Sequence, residues 1–446
     1  MSYRLFGAET SAYSTKMRAY LKYKGVPFDW TPRTQETEAE LRTVSRFPTL
    51  PVLVTSSGFA VHDTTPLIEA LEADSPEPSA TPADPATAFL ACVLEEYGDA
   101  WLAKAAYHYR WTRKKDQRLA AQRTIEDYYV TSPPEDRKAA EDAAIETMTA
   151  QLKSVGLEGE LGALVEKSFK RFVKLLDDHL RKHLFIFGGR PSIADFAIAG
   201  QLIQMLKDPT PAKIIEKDGE FVQKWCEFMA DPKPSGPFEA LEDLKETLAP
   251  IFAEELAGGF LPWAAENLES SLASHETFTV SLGKDEVTLV PLRSAARSFR
   301  ELRRKFVAGQ TVEALKAFTD ETATTVYLLR PPRPEQQPRP MDDTSEGEEG
   351  GEASSGGGDA GAEASEPREE GEDGGRKRRR RRRRRGRGRG EGRPEGAGDE
   401  APGEADSTGG GDDAAYASGE DSGEDEADAG ADPDATDGDE DDGADA

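Results

Sequence analysis

Residues 3–27, YRLFGAETSAYSTKMRAYLKYKGVP, decide the predicted fold of the first part of the chain. Tyr3–Phe6 alternates apolar and polar side chains, as a half-buried strand does. After a turn, apolar side chains recur at helical spacing from about Ala12 to Lys24. Gly25 suits the position just past the helix end, because glycine adopts the left-handed backbone conformation found there. The stretch therefore predicts a strand followed by a helix.

The next fifty residues continue to alternate between strands and helices. The predicted elements are a strand at Val26–Trp30, a polar helix at Glu36–Ser45, strands at Pro51–Thr55 and Phe59–His62, and a helix opened by Asp63-Thr64-Thr65-Pro66. The resulting order, β-α-β-α-β-β-α within 75 residues, is that of a thioredoxin-like domain.

Five segments follow from the pattern along the whole chain. We expect a thioredoxin-like domain at 1–75, a Pro-rich linker at 76–86, an all-helical domain at 87–256, a hairpin-plus-helix extension at 257–330 and a low-complexity tail at 331–446. The hairpin is expected at 276–291, where apolar and polar residues alternate around Gly283-Lys284-Asp285.

The tail carries most of the net charge. Residues 341–446 hold 35 acidic and 14 basic residues, and Tyr416 is their only aromatic residue. Such a segment lacks the apolar surface needed to offset chain entropy, so we expect it to be disordered. Its basic run, Arg376–Arg389, suits contact with nucleic acid phosphates. The flanking acidic blocks favour a self-neutralised, solvated segment equally well.

The cysteines and the N-terminus predict the compartment. Cys92 and Cys226 lie far apart and form no metal-ligand or redox spacing, so they read as free buried thiols of a reducing compartment. The first residues lack the basic and apolar regions of a signal peptide, and no apolar run approaches the roughly 20 residues of a membrane helix. We expect a cytoplasmic protein with no metal.

Four motifs in order resemble the glutathione S-transferase family. They are the Ser-x-aromatic turn and K-x-R helix at Ser11–Arg18 with the step KGVP at 24–27, the segment Leu50–Leu53, the pair Asp63-Thr64, and Ser192–Asp195 after a Gly pair. Together they span residues 3 to about 256. The resemblance implies a thioredoxin-like N-terminal domain, an all-helical C-terminal domain, glutathione as co-substrate and a homodimer.

In this resemblance Ser11 is the catalytic residue. A free thiol has a pKa of about 8.5, so glutathione must be bound beside a group that favours its thiolate. The hydroxyl of Ser11 and the N-terminus of the first helix would supply that stabilisation. The alternative is that Ser11 only caps this helix. Because neither Ser11 nor Ser14 is cysteine, a dithiol oxidoreductase is disfavoured.

The remaining glutathione contacts implied by the resemblance are Leu50, Pro51, Asp63 and Thr64. A cis bond before Pro51 would turn the backbone of Leu50 towards the cysteinyl part of glutathione, whereas a plain strand-opening proline would be trans. Asp63 would hold the γ-glutamyl ammonium and Thr64 the carboxylate, or each would simply cap the helix.

A cluster of aromatic residues suggests a co-substrate pocket. Tyr13, Tyr107, His108 and Trp111 are its candidate residues, and core packing is the competing interpretation. Ser192 and Asp195 read as a structural capping box. The leading hypothesis is a transferase that uses glutathione thiolate on a small apolar electrophile. The alternative is a non-catalytic binding or scaffold protein of the same fold whose Arg-rich tail contacts nucleic acid.

Overall fold

The computed structural model describes residues 3–46, 49–75, 77–157 and 159–329. The predictions for the tail, including nucleic acid contact through Arg376–Arg389, lie outside these residues. Within the described part of the chain, no helix combines the length and the apolar character that crossing a membrane requires.

The N-terminal domain is thioredoxin-like, as predicted. Its elements are β1 (Tyr3–Gly7), α1 (Ala12–Lys24), β2 (Phe28–Pro32), α2 (Glu38–Val44), β3 (Val52–Val54), β4 (Ala60–Val61) and α3 (Thr64–Asp74). The sheet has the order β2-β1-β3-β4, in which β1 and β2 are parallel and the other neighbours are antiparallel. The first βαβ unit and the following hairpin thus form one twisted sheet.

Helix α1 has the ends that its sequence predicts. Ser11 is its N-cap, and Gly25 follows its last turn with φ +65°, a backbone conformation that residues with a Cβ rarely adopt. Met17, Tyr20 and Leu21 are buried between the sheet and the helical domain. Burial of this apolar face, more than intrinsic propensity, stabilises such a short helix.

The helical domain begins at Pro85, two residues before the predicted start of the helical segment. Its helices are α4 (Pro85–Tyr97), α5 (Ala103–Thr112), α6 (Lys114–Tyr128), α7 (Pro134–Ser154), α8 (Glu160–Leu180), α9 (Ile193–Met205), α10 (Pro209–Asp218), α11 (Glu220–Met229), α12 (Leu241–Pro250) and α13 (Leu261–Leu272). A π-helical turn, Gly98–Leu102, joins α4 to α5, and a π-helical stretch, Ile251–Phe260, joins α12 to α13. The last helix therefore runs on past residue 256, where the sequence predicts its end.

The extension contains the predicted hairpin and three helices. They are β5 (Phe278–Leu282), β6 (Asp285–Leu289), α14 (Arg293–Gly309), α15 (Glu313–Glu321) and α16 (Thr325–Leu328). Helix α14 packs along α4, where the rings of Phe89 and Phe306 lie 5.2 Å apart. The extension is thus joined to the helical domain through apolar contacts in the common core.

The two family-like domains meet where α1 crosses α9. A Cβ on Gly200 of α9 would lie 2.6 Å from the carbonyl oxygen of Ala12, so only glycine permits this approach. Tyr20 packs edge-on against Phe196 of the same helix, with ring centroids 5.5 Å apart. The start of α1 is therefore fixed by the helical domain as well as by the sheet.

Candidate functional site

The strand register brings three predicted site segments to one end of the sheet. β1 ends just before the loop to Ser11, and β3 starts opposite that end, because Val52 pairs with Phe6. β4 runs back antiparallel to β3, with Val61 opposite Leu53, so that Asp63 follows at the same end. We call this group, Ser11 with Leu50-Pro51 and Asp63-Thr64, the sheet-end site.

Ser11 lies at the first turn of α1 and is almost buried, with 2% of its surface exposed. Its Oγ accepts a hydrogen bond of 3.0 Å from the backbone N–H of Ser14, which makes it the N-cap. Within the described residues this hydroxyl accepts that bond and donates none. Its proton therefore remains available to an acceptor that approaches the helix start.

The loop before α1 is held by donors from the helical domain. Gln204 donates to the carbonyl oxygen of Glu9 at 3.0 Å, and Lys207 donates to the same oxygen at 3.1 Å. Arg110, which is paired with Asp208 at 3.0 Å, donates to the carbonyl oxygen of Thr10 at 3.3 Å. The arrangement fixes the loop and places two cationic side chains near the positive end of the α1 dipole.

The peptide bond between Leu50 and Pro51 is cis, as the family resemblance implies. Leu50 is buried in a small core cluster together with Phe6, Leu41 and Val52. This cluster lies on the face of the sheet away from the main core and positions the start of β3. The role of Leu50 in ligand binding stays a prediction.

Asp63 has an unusual backbone conformation. Its φ is +70° and its ψ is 120°, while its exposed carboxylate accepts a 3.2 Å hydrogen bond from the backbone N–H of Thr65. A non-glycine residue held at positive φ costs about 1–3 kcal/mol, and such residues cluster at functional sites. Thr64, next along the chain, is buried at the start of α3. Asp63 is therefore the N-cap of α3 and Thr64 is the first residue of the helix, and both lie at the sheet-end site.

A buried charge cluster joins α1 and α3 to the helical domain. The ammonium of Lys16, which is 1% exposed, lies 2.8 Å from Glu95 and 2.6 Å from Asp99. Thr65 in the first turn of α3 donates to the same Glu95 oxygen at 3.0 Å. Tyr13 donates at 2.8 Å to the backbone carbonyl of Asp99. One cluster therefore fixes the starts of both helices that frame the sheet-end site.

Burial and the fields of neighbouring charges compete in setting the pKa values of this cluster. Burial opposes the charge on Lys16, but the fields of Asp99 and Glu95 outweigh it and raise the pKa of Lys16. Burial also raises the pKa of Asp99 to about 6, and the attraction of Lys16 offsets only part of that rise. Directly after Glu95, burial raises the pKa of Glu96 to about 8, although the hydroxyl of Ser298 donates a hydrogen bond to it.

The two cysteines are free thiols, as predicted. Burial raises the pKa of Cys92 to about 12 and raises that of Cys226 still further. Neither thiol ionises near neutral pH, so neither has the properties of a reactive cysteine.

Three of the four predicted co-substrate residues lie on α5 of the helical domain. Tyr107, His108 and Trp111 are buried in the helical domain. Tyr107 bonds to Gln151 at 3.1 Å, and His108 is held by the carbonyl of Leu157 at 2.8 Å and by a carboxylate. These contacts match the core-packing interpretation. The fourth, Tyr13, lies on α1 two residues after Ser11.

Sequence reasoning missed the charge cluster. Lys16 lies on the same helical face as Tyr13 and Tyr20, and a lysine on a buried face needs a charged partner. The stretch 95–99, EEYGD, supplies two such partners on one helix. Together these features would have indicated a buried ion pair between the two domains.

A thioredoxin-like domain with its site at the sheet end, joined to an all-helical domain, defines the class of protein. Residues 5–79 match the glutathione S-transferase N-terminal domain, and residues 139–228 match the glutathione S-transferase C-terminal domain. The chain therefore belongs to the glutathione S-transferase family. The extension lies beyond both matches.

Solved structures that are similar to part of this chain are distant from it in sequence. A glutathione S-transferase from Methylobacterium radiotolerans in complex with glutathione sulfonate is 19% identical, with 54% of this chain and 97% of that one covered and a TM-score of 0.34. The beta-etherase LigF from Sphingobium sp. strain SYK-6 is 17% identical, with 55% of this chain and 98% of that one covered and a TM-score of 0.38. FzlA from C. crescentus is 19% identical, with 55% of this chain and 98% of that one covered and a TM-score of 0.35. No curated protein matches the chain.

Proposed function

We propose that the sheet-end site binds glutathione as its thiolate and that the protein uses this thiolate on a small apolar electrophile. The observation that carries the proposal is the convergence of Ser11, Pro51 and Asp63 at one end of the sheet. Neighbouring strands lie about 4.8 Å apart, so the ends of β1 and β4, with β3 between them, are separated by about 10 Å. An extended tripeptide spans about 10 Å, which fits this distance.

In the proposed complex the cysteinyl part of glutathione lies along Leu50 at the start of β3. An extended peptide beside a strand end gains affinity from main-chain hydrogen bonds. The γ-glutamyl end then points to the start of α3, where Asp63 faces its ammonium and the backbone of Thr64 faces its carboxylate. A helix N-terminus favours an anion at this position.

The thiol of the bound peptide points towards the start of α1. The hydroxyl of Ser11 donates to the sulfur, and the helix dipole together with Arg110 and Lys207 favours its negative charge. The nucleophile is the thiol of the co-substrate. Because solvent takes up the thiol proton at neutral pH, the protein needs no general base of its own. Lowering the thiol pKa below about 8.5 is the whole catalytic requirement at this step.

Further properties of the family complete the proposal. A homodimer is expected, and sedimentation equilibrium of the full chain tests it. The free thiols of Cys92 and Cys226 fit a reducing compartment, so we propose a cytoplasmic location.

The experiment that tests the proposed function is calorimetric titration of the full chain with glutathione, followed by a conjugation assay with an activated aryl halide. We expect binding in the micromolar to millimolar range usual for substrates and a thiol transfer rate above that of the uncatalysed mixture. Absence of glutathione binding by the wild-type protein would remove both the transferase and the site assignment. Binding without turnover would leave the alternative, a non-catalytic binding protein.

The alternative function has its own test. The run Arg376–Arg389 in the sequence favours contact with nucleic acid phosphates. Affinity for single-stranded RNA is measured for the full chain and for a chain ending at residue 340, over a salt series. A steep salt dependence that disappears with the tail supports this function, and equal affinity of the two chains contradicts it.

A further inference from the structure

The end of α13 and the start of α14 line a cavity within the extension. Its volume is about 370 Å³, within the range of small-molecule sites. Helix α13 contributes its last turn and the residues that follow it, and α14 contributes one face of its first two turns. We call this site the arginine cavity; none of its lining residues belongs to the sheet-end site.

The charge of the arginine cavity has one sign. Arg293, Arg297 and Arg300 stand at spacings of four and three residues, which places them on one face of α14. All three are exposed, and none of the described residues that line the cavity is acidic. Clustered charges of one sign raise the local concentration of the opposite ion, so the cavity favours an anion.

Two of the three guanidinium groups are available to a ligand. Arg297 already interacts with another residue, so we assign it no ligand contact. Arg293 and Arg300 form no hydrogen bond or ion pair within the part of the chain that the structure describes. Glu301, which follows Arg300, is instead paired with Arg304 through hydrogen bonds of 2.8 and 2.6 Å.

The backbone around the arginine cavity also favours an anion. No side chain caps the first turn of α14, and this turn contains no acidic residue, so the positive end of the helix dipole keeps its charge there. At the end of α13, the carbonyl oxygens of Ser270 and Ser271 accept hydrogen bonds from the N–H groups of His275 and Ser274. These two carbonyls are therefore occupied within their own turn.

One hydroxyl in the lining lacks a partner. The Oγ of Ser271 is buried and, within the described residues, has no hydrogen-bond partner. A buried polar group in this state costs free energy, which an acceptor oxygen of a ligand would recover. Ser274, which follows α13 at a φ of +54°, brings a second serine to the lining.

We propose that the arginine cavity binds a phosphate monoester that carries a small organic group. A phosphate dianion matches two guanidinium groups and a hydroxyl in charge and in number of oxygens, whereas one guanidinium already satisfies a carboxylate. Leu268, Leu272 and Ala296 supply an apolar side for the organic group. The extension, which lies outside both matched family domains, thus carries a second ligand site beside the proposed glutathione site.

Calorimetric titration of the full chain with three probes tests this site. Phenyl phosphate offers both the dianion and an apolar group, inorganic phosphate lacks the apolar group, and benzoate replaces the dianion by a single carboxylate. The test variants are Arg293→Gln and Arg300→Gln. Arg118→Gln is the matched control, because it removes the same charge from an exposed position on α6 that does not line the cavity. Thermal unfolding confirms that the variants are folded.

We expect phenyl phosphate to bind more tightly than inorganic phosphate and about 10-fold more tightly than benzoate. Arg293→Gln and Arg300→Gln should each weaken phenyl phosphate by about 10-fold, because one charge-assisted contact is lost, and Arg118→Gln should leave it unchanged. Ser271→Ala should weaken phenyl phosphate by about 3-fold without lowering the unfolding temperature, since no hydrogen bond within the protein is lost.

Three results would overturn the phosphate site. They are failure of the wild-type protein to bind phenyl phosphate, equal weakening by Arg118→Gln and the two test variants, and binding of benzoate as tight as that of phenyl phosphate. The substituted positions lie outside the sheet-end site, so titration of the same proteins with glutathione tests the proposed function separately.

Discussion

Replacing Ser11 by alanine tests its two roles separately, because loss of the helix cap lowers stability whereas loss of the thiolate contact lowers the conjugation rate. The substitution removes the 3.0 Å N-cap bond to the N–H of Ser14. Loss of such a cap lowers the free energy of unfolding by about 0.5–2 kcal/mol. If Ser11 also donates to a bound thiolate, a further hydrogen bond to a charged group is lost, worth about 1.5–3 kcal/mol.

The second loss appears in the kinetics. At about 1.36 kcal/mol per pKa unit, removal of the thiolate contact raises the pKa of the bound thiol by about one to two units. Below that pKa the conjugation rate follows the thiolate fraction, so kcat/KM at neutral pH should fall about 10- to 100-fold. The acidic limb of the pH–rate profile, on which the rate rises with the thiolate fraction, should move to higher pH by the same one to two units.

The matched control is Ser192→Ala. Ser192 is a fully buried serine at the N-terminus of α9 whose hydroxyl is bonded to Asp195 at 2.7 Å. This variant should lose a similar stability and keep the wild-type pH–rate profile. If Ser11→Ala behaves as Ser192→Ala does, with lower stability and unchanged kinetics, then Ser11 is only a helix cap and its catalytic role is refuted.

Two further predictions concern buried charge. Lys16→Met should lower the free energy of unfolding by about 3–5 kcal/mol in urea titrations, because Glu95 and Asp99 are left as buried carboxylates without their partner; a loss below about 1 kcal/mol would contradict the cluster. Burial lowers the pKa of His179 to about 4, so the unfolded chain takes up a proton at higher pH than the native state does. His179 therefore contributes about 3 kcal/mol to the free energy of unfolding above pH 6.5, and this contribution is lost as the pH falls towards 4. His179→Gln should remove that part of the pH dependence, whereas His275→Gln, at an exposed position, should retain it; equal slopes in the two variants would contradict this account.

The N-terminal domain could be predicted from sequence because its signals are local and agree. Strand alternation, helical spacing and Gly25 all indicate the same β-α unit, and the structure confirms it. The register that brings Ser11, Pro51 and Asp63 to one sheet end then follows from the topology alone.

The helices were harder to delimit where local signals conflict with packing. The predicted end at residue 256 is wrong, since Gly258 and Gly259 would usually end a helix but here lie in a π-helical stretch beside Trp101. Helix α6, Lys114–Tyr128, lies inside the predicted all-helical domain, but the sequence predicts no bounds for it. Its buried residues are Asp116, Ala120, Ala121 and Ile125 within a strongly charged segment, which gives weak periodicity.

The site could be predicted only in part, for a physical reason. Motif residues such as Ser11 and Asp63 are recognisable because they follow strand ends. The partners of Lys16 and the position of α14 on α4 depend on contacts between residues 79 to more than 200 positions apart, and no local pattern encodes them. Only the folded chain shows that α14 of the extension lies beside Asp63 of the sheet-end site.

The most direct test of the central claim is the pKa of the glutathione thiol when it is bound to the wild-type protein. Thiolate absorbance is followed by ultraviolet difference spectroscopy across pH 5–9, with the ligand alone as the reference. We expect a bound thiol pKa at least one unit below the free value of about 8.5. A bound thiol that titrates at the free value would contradict it.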